Sequence, residues 1–202
     1  MGKFKFRILY RLLALEICKK KIVLTEKSVC KFLKKFFIYT SYEILRIKMN
    51  TIDNYTNNYK NFFNTLSIIS QFAKVRKLLL SIQREFVKPP GLIAEGRDMG
   101  TLVFSNAVLK FFLDANLEHR AYRRKLELQK KGFNVNFEEI LLNMWERDNK
   151  DSNRKISPLI PAKNAIILDS TFLNFKQIFN IMMQYIKKNT IIRTIMNHHS
   201  TL

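Results

Sequence analysis

Glycine is scarce in this chain. Only five of its 202 residues are glycine, whereas ordinary usage of about 7% would give roughly 14. Phosphate-binding loops depend on glycine because their backbone must approach the ligand closely. The shortage therefore argues against a function that needs several such loops, and it excludes collagen-like and Gly/Ser-linker chains.

Cysteine is scarce as well. Cys18 and Cys30 are the two cysteines, and they have neither C-x-x-C spacing nor a nearby histidine to complete a metal site. A disulfide scaffold is excluded, and we interpret both as buried thiols in a reducing compartment. No run of 18 apolar residues could span a membrane, and Arg7, Arg11 and Glu16 interrupt any signal-peptide core. We expect a soluble, cytoplasmic protein with no metal-ligating set and no membrane partner.

Acidic residues are outnumbered, with 16 Asp and Glu against 36 Lys and Arg. The imbalance is uneven, since residues 1–90 carry 19 basic and 5 acidic side chains and residues 91–202 carry 17 and 11. A basic half can bind nucleic acid or an anionic membrane surface. Lysines placed singly on amphipathic helices more often form a solvated face, and we rank that interpretation first. Nucleic acid is therefore not the partner we expect, although it stays open as an alternative.

The hydrophobic content of 47% is enough for a folded core, and the length favours a single domain over 1–202. Helical periodicity and short runs that are apolar on both faces together predict an α/β fold with buried parallel strands. The predicted helices are 8–17, 25–38, 72–86, one capped by Asn116 and ended by Gly132, and two that begin at Phe137 and Phe175. The predicted strands are 43–49, 92–94, 108–113 and 165–168.

Charged residues follow each of the last three predicted strands, at 95–98, Asp114 and Asp169. Open α/β sheets bind ligands at the carboxyl ends of their strands. Arg97 could form a fork on a phosphate, and Asp98 could accept a hydrogen bond from an exocyclic amino group. An internal ion pair that closes a turn explains Arg97 and Asp98 equally well. For Asp169 we favour a turn residue.

A second concentration of charge lies at 147–154. Arg147, Asp151 and Arg154 are spaced by four and by three, so they share one face if the segment is helical. Arginine clusters with few acids suit a polyphosphate, because phosphoryl transfer develops charge that fixed cations stabilise. A solvated helix pair with salt bridges is the alternative, and the composition of 152–158 favours a mobile flap. The preceding predicted helix adds three more arginines, Arg120, Arg123 and Arg124.

Five segments together resemble bacterial cytidylate kinase: PGLIAEGRDMGTLVF, FFLDAN, ERDNKDSNR, SPLIPA and ILDST, between 90 and 171. Their spacing also agrees, and the similarity is specific over 90–188. The resemblance implies a parallel-sheet P-loop nucleoside monophosphate kinase fold with helices on both faces. It implies a monophosphate-binding insert near 36–76 and an arginine-rich lid near 146–160. The composition after the last predicted helix predicts a basic tail at 189–202. The implied reaction is phosphoryl transfer from ATP, with Mg²⁺, to CMP or dCMP in pyrimidine metabolism, by a monomer.

The same resemblance implies roles for individual residues. Ser67, Arg76 and Asp98 would read cytosine, with Asp98 taking the amino group that distinguishes cytosine from uracil. Two arginines would bind the acceptor phosphate, and a third would act on the ATP side. In the lid, two residues would hold the sugar hydroxyls and one arginine would face a phosphate. The implied substrate-binding residues are Arg11, Ser67, Arg76, Arg97, Asp98 and Asp151 (Arg11 and Arg97 on the phosphate, Asp151 on the sugar), and the implied catalytic residues are Arg123 (ATP side), Arg147 (sugar) and Arg154 (phosphate).

The chain departs from the family pattern before Tyr10. The family begins with a strand, a glycine-rich phosphate loop and a helix, and this sequence has no counterpart of them. Gly91 and Gly96 do not form such a loop, because a strand is predicted between them. We expect the P-loop unit to be missing, through a shortened reading frame or gene decay, and this chain to be a poor kinase. The alternatives are an inactive remnant that binds CMP without transfer and a basic nucleic-acid-binding protein.

Overall fold

The computed structural model describes residues 2–38, 62–154 and 157–189. The chain divides into two compact units, Met1–Gly96 and Arg97–Leu202. The strand predicted over 43–49, most of the predicted insert and the predicted tail beyond residue 189 lie outside the described residues. The single domain over 1–202 stays a prediction.

The first unit pairs its two described strands in parallel. β1 (Gly2–Lys5) lies beside β2 (Leu92–Glu95), with Gly2 opposite Leu92 and Lys5 opposite Glu95. The strand predicted at 92–94 is therefore confirmed. The described helices of this unit are α1 (Arg7–Lys19), α2 (Glu26–Ile38), α3 (Phe62–Ile69) and α4 (Ala73–Glu85).

β1 was not predicted, because glycine and lysine, which make up three of its four residues, are depleted in strands. The residue that follows it explains why the strand forms. Phe6 is buried, its ring meets that of Phe86 edge to face at 5.5 Å, and its N–H donates to the carbonyl of Glu95 at 2.9 Å. Phe6 thus extends the pairing and anchors the strand in the core.

The core of the first unit lies between its helices. α1 is buried around most of its circumference, with Leu12, Leu13, Ala14 and Leu15 all at 3% exposure or less, and α1 packs against α3. Burying a leucine or valine side chain fully contributes about 1.5–3 kcal/mol. α2 packs against α4, and the buried apolar side chains of this second pair are Val29, Leu33, Val75 and Leu79.

The outer face of α2 carries lysines. Lys27, Lys31, Lys34 and Lys35 are all exposed, on the side opposite the buried Val29. The helix is therefore amphipathic, with its apolar side packed and its lysines exposed. Among the described residues, no helix is both long and apolar enough to cross a bilayer.

The second unit also pairs two described strands in parallel. β3 (Phe111–Asp114) lies beside β4 (Ile166–Asp169), with Phe111 opposite Ile166 and Asp114 opposite Asp169. β3 begins three residues later than the predicted start at 108, where Val108 is 50% exposed. Around these strands lie a short π-helical turn (Met99–Val103) and the helices α5 (Leu117–Lys130), α6 (Phe137–Ser152) and α7 (Phe175–Lys188).

Asparagine caps begin each of the three helices described in the second unit. The side chain of Asn116 accepts from the N–H groups of Glu118 and His119, as the sequence predicts. Asn136 caps α6 in the same way, and Asn174 forms a reciprocal capping box with Gln177. Each cap satisfies N–H groups that a helix start leaves without an intrahelical partner, and contributes about 1 kcal/mol.

Cys30 offers a test of the α2 packing. Burial, and then the charge of Glu26, raise the pKa of this thiol above its ordinary value of 9.0. Because the thiolate is the nucleophile, we expect a Cys18→Ser variant to react with iodoacetamide more slowly at pH 8 when folded than in urea. The reaction rate of the folded chain should rise with a midpoint above pH 9. A midpoint at or below that of the urea-unfolded chain would contradict the packing of α2.

Candidate functional site

An ion pair between Arg97 and Asp151 is the centre of the charged cluster in the second unit. Nη1 of Arg97, which follows β2 in the chain, meets Oδ2 of Asp151 in the last turn of α6. The Asp151 side chain is only 12% exposed and that of Arg97 is 34% exposed. Burial, followed by the charges of Arg147 and Arg154, lowers the pKa of Arg97 from 12.5 to about 10. Burial has the larger effect on the pKa of Arg97, and the two neighbouring arginines add to it because their positive charges disfavour a further cation.

Two further arginines approach the same carboxylate. Nη2 of Arg154 lies 3.4 Å from Oδ1 of Asp151, and Nε of Arg147 lies 3.9 Å from its Oδ2. Arg154 also donates from Nε to the backbone carbonyl of Asp151 at 3.4 Å. The predicted shared face of these residues is confirmed, although Arg154 lies just beyond the end of the helix. Three guanidinium groups around one carboxylate leave surplus positive charge, which attracts an anion.

The backbone around Arg97 and Asp98 is held by the π-helical turn. The carbonyl of Asp98 accepts from the N–H groups of Leu102 at 3.0 Å and Val103 at 3.1 Å. π-helical turns are rare and frequently mark functional sites. Gly100 lets this turn approach the segment that follows α6, since a Cβ there would stand 3.1 Å from Cβ of Ala162.

The segment after α6 is joined to the cluster directly. The N–H of Leu159 donates to the carbonyl of Asp151 at 2.9 Å. That carbonyl therefore accepts from both Leu159 and Arg154. The segment SPLIPA at 157–162 is thus held beside the arginine cluster by the hydrogen bond from Leu159 to Asp151.

The three arginines of α5 each have partners within the second unit. Arg120 pairs with Asp148 at 2.6 Å, and Arg124 pairs with Glu127 at 2.7 Å. The Arg120–Asp148 pair joins α5 to α6, as the alternative of a salt-bridged helix pair predicts, whereas Arg124 and Glu127 lie on the same helix. Nη2 of Arg123 donates to backbone carbonyls of the loop after β4, namely those of Ser170, Thr171 and Leu173. The ATP-side role of Arg123 stays a prediction.

The carboxylates at the ends of β3 and β4, Asp114 and Asp169, accept hydrogen bonds from backbone N–H groups of the turns that follow. Oδ1 of Asp169 accepts from N–H of Thr171 at 2.8 Å and from its hydroxyl at 2.6 Å, which lowers the pKa of Asp169. The Thr171 hydroxyl oxygen also accepts from N–H of Asn116 at 2.9 Å, so the network joins the ends of both strands. The interpretation of Asp169 as a turn residue is confirmed. Sequence reasoning missed Thr171. Its position in a short polar segment directly after an apolar strand is the signal that could have identified it.

The predicted site residues of the first unit are Arg11, Ser67 and Arg76. Arg76 is buried at 8% exposure, donates from Nη1 to the carbonyl of Ser70 at 3.3 Å and lies 5.9 Å from the ring centroid of Tyr10. Ser70 in turn donates from its hydroxyl to the carbonyl of Ser67 at 2.8 Å. Ser67 and Arg76 are therefore brought together through Ser70, which sequence reasoning missed.

Arg11 is held against another part of α3. Its guanidinium lies 5.8 Å from the ring centroid of Phe62, a residue buried at 0% exposure. A cation over an aromatic face is favourable by about 0.5–2 kcal/mol. Arg11 and Arg76 thus both have their guanidinium groups over aromatic rings.

The described residues suit an anion better than a cation. Nowhere in 2–38, 62–154 and 157–189 do three or more His, Cys, Asp or Glu side chains come together to hold a metal ion. The guanidinium groups of Arg97, Arg147 and Arg154 instead surround one acid. Guanidinium forks match the geometry of phosphate oxygens.

Comparison with known proteins agrees with this chemistry. A family model described as cytidylate kinase matches residues 4–188, which run across both compact units. A cytidylate kinase of Yersinia enterocolitica is 52% identical over 125 residues, which are 62% of this chain and 54% of the relative. Cytidylate kinases of Yersinia pestis and Yersinia pseudotuberculosis are 50% identical over 125 residues, with the same coverage. The chain spans about half the length of these curated relatives.

Proposed function

The chain belongs to the cytidylate kinase family, and on that basis we propose that it binds CMP or dCMP and transfers to it a phosphoryl group from ATP. The products would be CDP or dCDP and ADP, made in the cytoplasm. The observation that carries this proposal is the set of three arginines around Asp151. The proposed fold is the parallel-sheet P-loop kinase fold, and no residue of this chain is assigned to its glycine-rich loop.

The cluster in the second unit would hold the phosphate and sugar of the acceptor. Arg97 is the proposed ligand of the acceptor phosphate. Its side chain is only 34% exposed, and the positive charges of Arg147 and Arg154 act on it. A carboxylate offers about four lone-pair sites, so Asp151 could accept from a sugar hydroxyl while it holds its arginines. Arg147, the most exposed of the three at 69%, is proposed for the sugar and Arg154 for a phosphate.

The base would be read by hydrogen-bond donors and acceptors. Cytosine presents an amino group where uracil presents a carbonyl, and a carboxylate such as that of Asp98 accepts hydrogen bonds but does not donate them. A carboxylate at that position favours cytosine and repels uracil. By family resemblance, Ser67 and Arg76 are assigned to the base and Arg11 to the acceptor phosphate.

ATP supplies the transferred group, and Mg²⁺ supplies charge neutralisation on its phosphates when bound. The arginines fit phosphate oxygens. Among the described residues no three His, Cys, Asp or Glu side chains come together to hold a metal ion, and Mg²⁺ bound to ATP would be held chiefly by the phosphates. The contribution of this chain's own residues is to align the phosphates and screen their charge, which needs no covalent intermediate.

Asp98→Ala tests the proposed base reading. We expect its affinity for CMP to fall by about tenfold to a hundredfold, since one good base contact discriminates by about 1–3 kcal/mol. Affinity for UMP should rise, because the carboxylate that repels the uracil carbonyl is removed. Isothermal titration calorimetry measures both, and Glu95→Ala, an exposed carboxylate three residues earlier, is the matched control. Equal CMP affinity in the parent and in Asp98→Ala would show that Asp98 does not read the base.

A coupled assay for ADP separates transfer from binding alone. ADP formed from CMP and MgATP, and absent without CMP, would support the kinase. CMP binding without ADP would favour the non-transferring alternative.

A further inference from the structure

Arg120 joins two parts of the second unit that sequence patterns did not connect. From the second turn of α5, its Nε donates to the carbonyl of Ala115, directly after β3, at 2.9 Å. Its Nη1 donates to Oδ2 of Asp148 on α6 at 2.6 Å. The side chains of Arg120 and Asp148 are 32% and 29% exposed, so the contact is more protected than a surface pair. One guanidinium therefore connects the end of β3 to α6.

The position of Asp148 on α6 gives this contact its consequence. Successive helical residues are about 100° apart, which places Asp148 about 60° around the helix from Asp151. A fixed Asp148 therefore limits rotation of α6 about its axis. That rotation decides whether Asp151 faces Arg97.

The charges of the pair act on the cluster as well. Asp148 raises the pKa of Arg97 and Arg120 lowers it, among smaller influences than burial and the neighbouring Arg147 and Arg154. Both charges thus lie close enough to Arg97 to change its pKa.

We propose that Arg120 is a positioning residue, whose contact with Asp148 holds α6 at the rotation in which Asp151 meets Arg97. The consequence, which rests on the proposed function, is that Arg120 sets the affinity of the cluster for the phosphate of a nucleoside monophosphate. Lysine could not replace it, because a single ammonium group lacks the planar fork that reaches Ala115 and Asp148 together.

The test uses Arg120→Gln and Asp148→Asn, with Arg124→Gln as the matched control from the same helix. Arg124 also forms an ion pair, but with the half-exposed Glu127. In the ligand-free protein, the Nε–H resonance of Arg97, identified by its loss in Arg97→Lys, reports the pair with Asp151. We expect it to shift and to exchange faster with solvent in both test variants and to stay unchanged in Arg124→Gln.

Calorimetry with CMP and with inorganic phosphate provides the second measurement. We expect affinity to fall about tenfold in Arg120→Gln and in Asp148→Asn, and no further in the double variant, because each substitution breaks the same contact. An unchanged Arg97 resonance in both variants, equal effects in the Arg124→Gln control, or additive losses in the double variant would overturn the inference. If the parent binds no CMP, the proposed function fails, while the resonance still decides the role of Arg120. Asp148→Asn keeps the side-chain size, so it tests the same contact if Arg120→Gln does not fold.

Discussion

Replacing Asp151 with asparagine is expected to destabilise the ligand-free chain by about 2 kcal/mol. Removing one partner of a buried ion pair typically costs about 3–5 kcal/mol, since the other charge is left buried and uncompensated. We expect a smaller value because the Arg97 side chain is 34% exposed and keeps some contact with water. Urea unfolding at pH 7 measures the change. Trp145, the single tryptophan of the chain, lies on α6 six residues before Asp151 and supplies the fluorescence signal.

Phosphate should restore part of this loss. With Asp151 neutral, the arginines around it have more uncompensated charge, and an anion bound to the folded chain at a hundred times its dissociation constant stabilises it by about 2.7 kcal/mol. The control is Glu146→Gln on the same helix, whose partner Lys150 is 77% exposed. We expect that variant to stay within about 0.5 kcal/mol of the parent. Equal stability of the two variants would contradict the central role of Asp151.

Periodicity alone was sufficient to predict most of the helices. Val29 and Leu33 recur at helical spacing and are buried in α2, and Asn116 and Gly132 mark both ends of α5. β1 escaped prediction because its pairing partner β2 lies some ninety residues away. A strand so short forms through that pairing and through the burial of Phe6, neither of which is a local property.

The same distinction applies to the site. The spacing of Arg147, Asp151 and Arg154 follows from helical geometry, so the sequence could predict their shared face. The pair between Arg97 and Asp151 joins residues more than fifty positions apart, and no periodic signal connects them. From the sequence alone, an ion pair of Arg97 with the adjacent Asp98 is as good an explanation as ligand binding by the two residues.

The arginines of α5 have partners that their spacing does not reveal. Arg120, Arg123 and Arg124 are spaced as an array of cations on one side of a helix, which suggested a polyphosphate. Their partners are an acid on the next helix, backbone carbonyls, and an acid one turn away. Sequence analysis identified the cations but could not identify what satisfies them, because backbone carbonyls carry no sequence signature.

Arg123→Lys is expected to separate the role seen in the structure from the role implied by resemblance. Lysine keeps the charge but lacks the planar fork, so the carbonyls of Thr171 and Leu173 would lose their donor. We expect a loss of about 1–2 kcal/mol in the free energy of unfolding, since hydrogen bonds to charged groups contribute about 1.5–3 kcal/mol when protected and this side chain lies partly in solvent.

Amide hydrogen exchange locates the effect of Arg123→Lys, and we expect it to accelerate at Thr171 and Leu173. Arg124→Lys is the matched control, because Arg124 contacts only the exposed Glu127 among the contacts described for its side chain, and its unfolding free energy should change by less than about 0.5 kcal/mol. If Arg123 served ATP alone, Arg123→Lys would leave both stability and exchange unchanged and weaken only ATP binding. Loss of stability with faster exchange would instead show that Arg123 holds the loop after β4, so that any effect on ATP acts through the position of that loop.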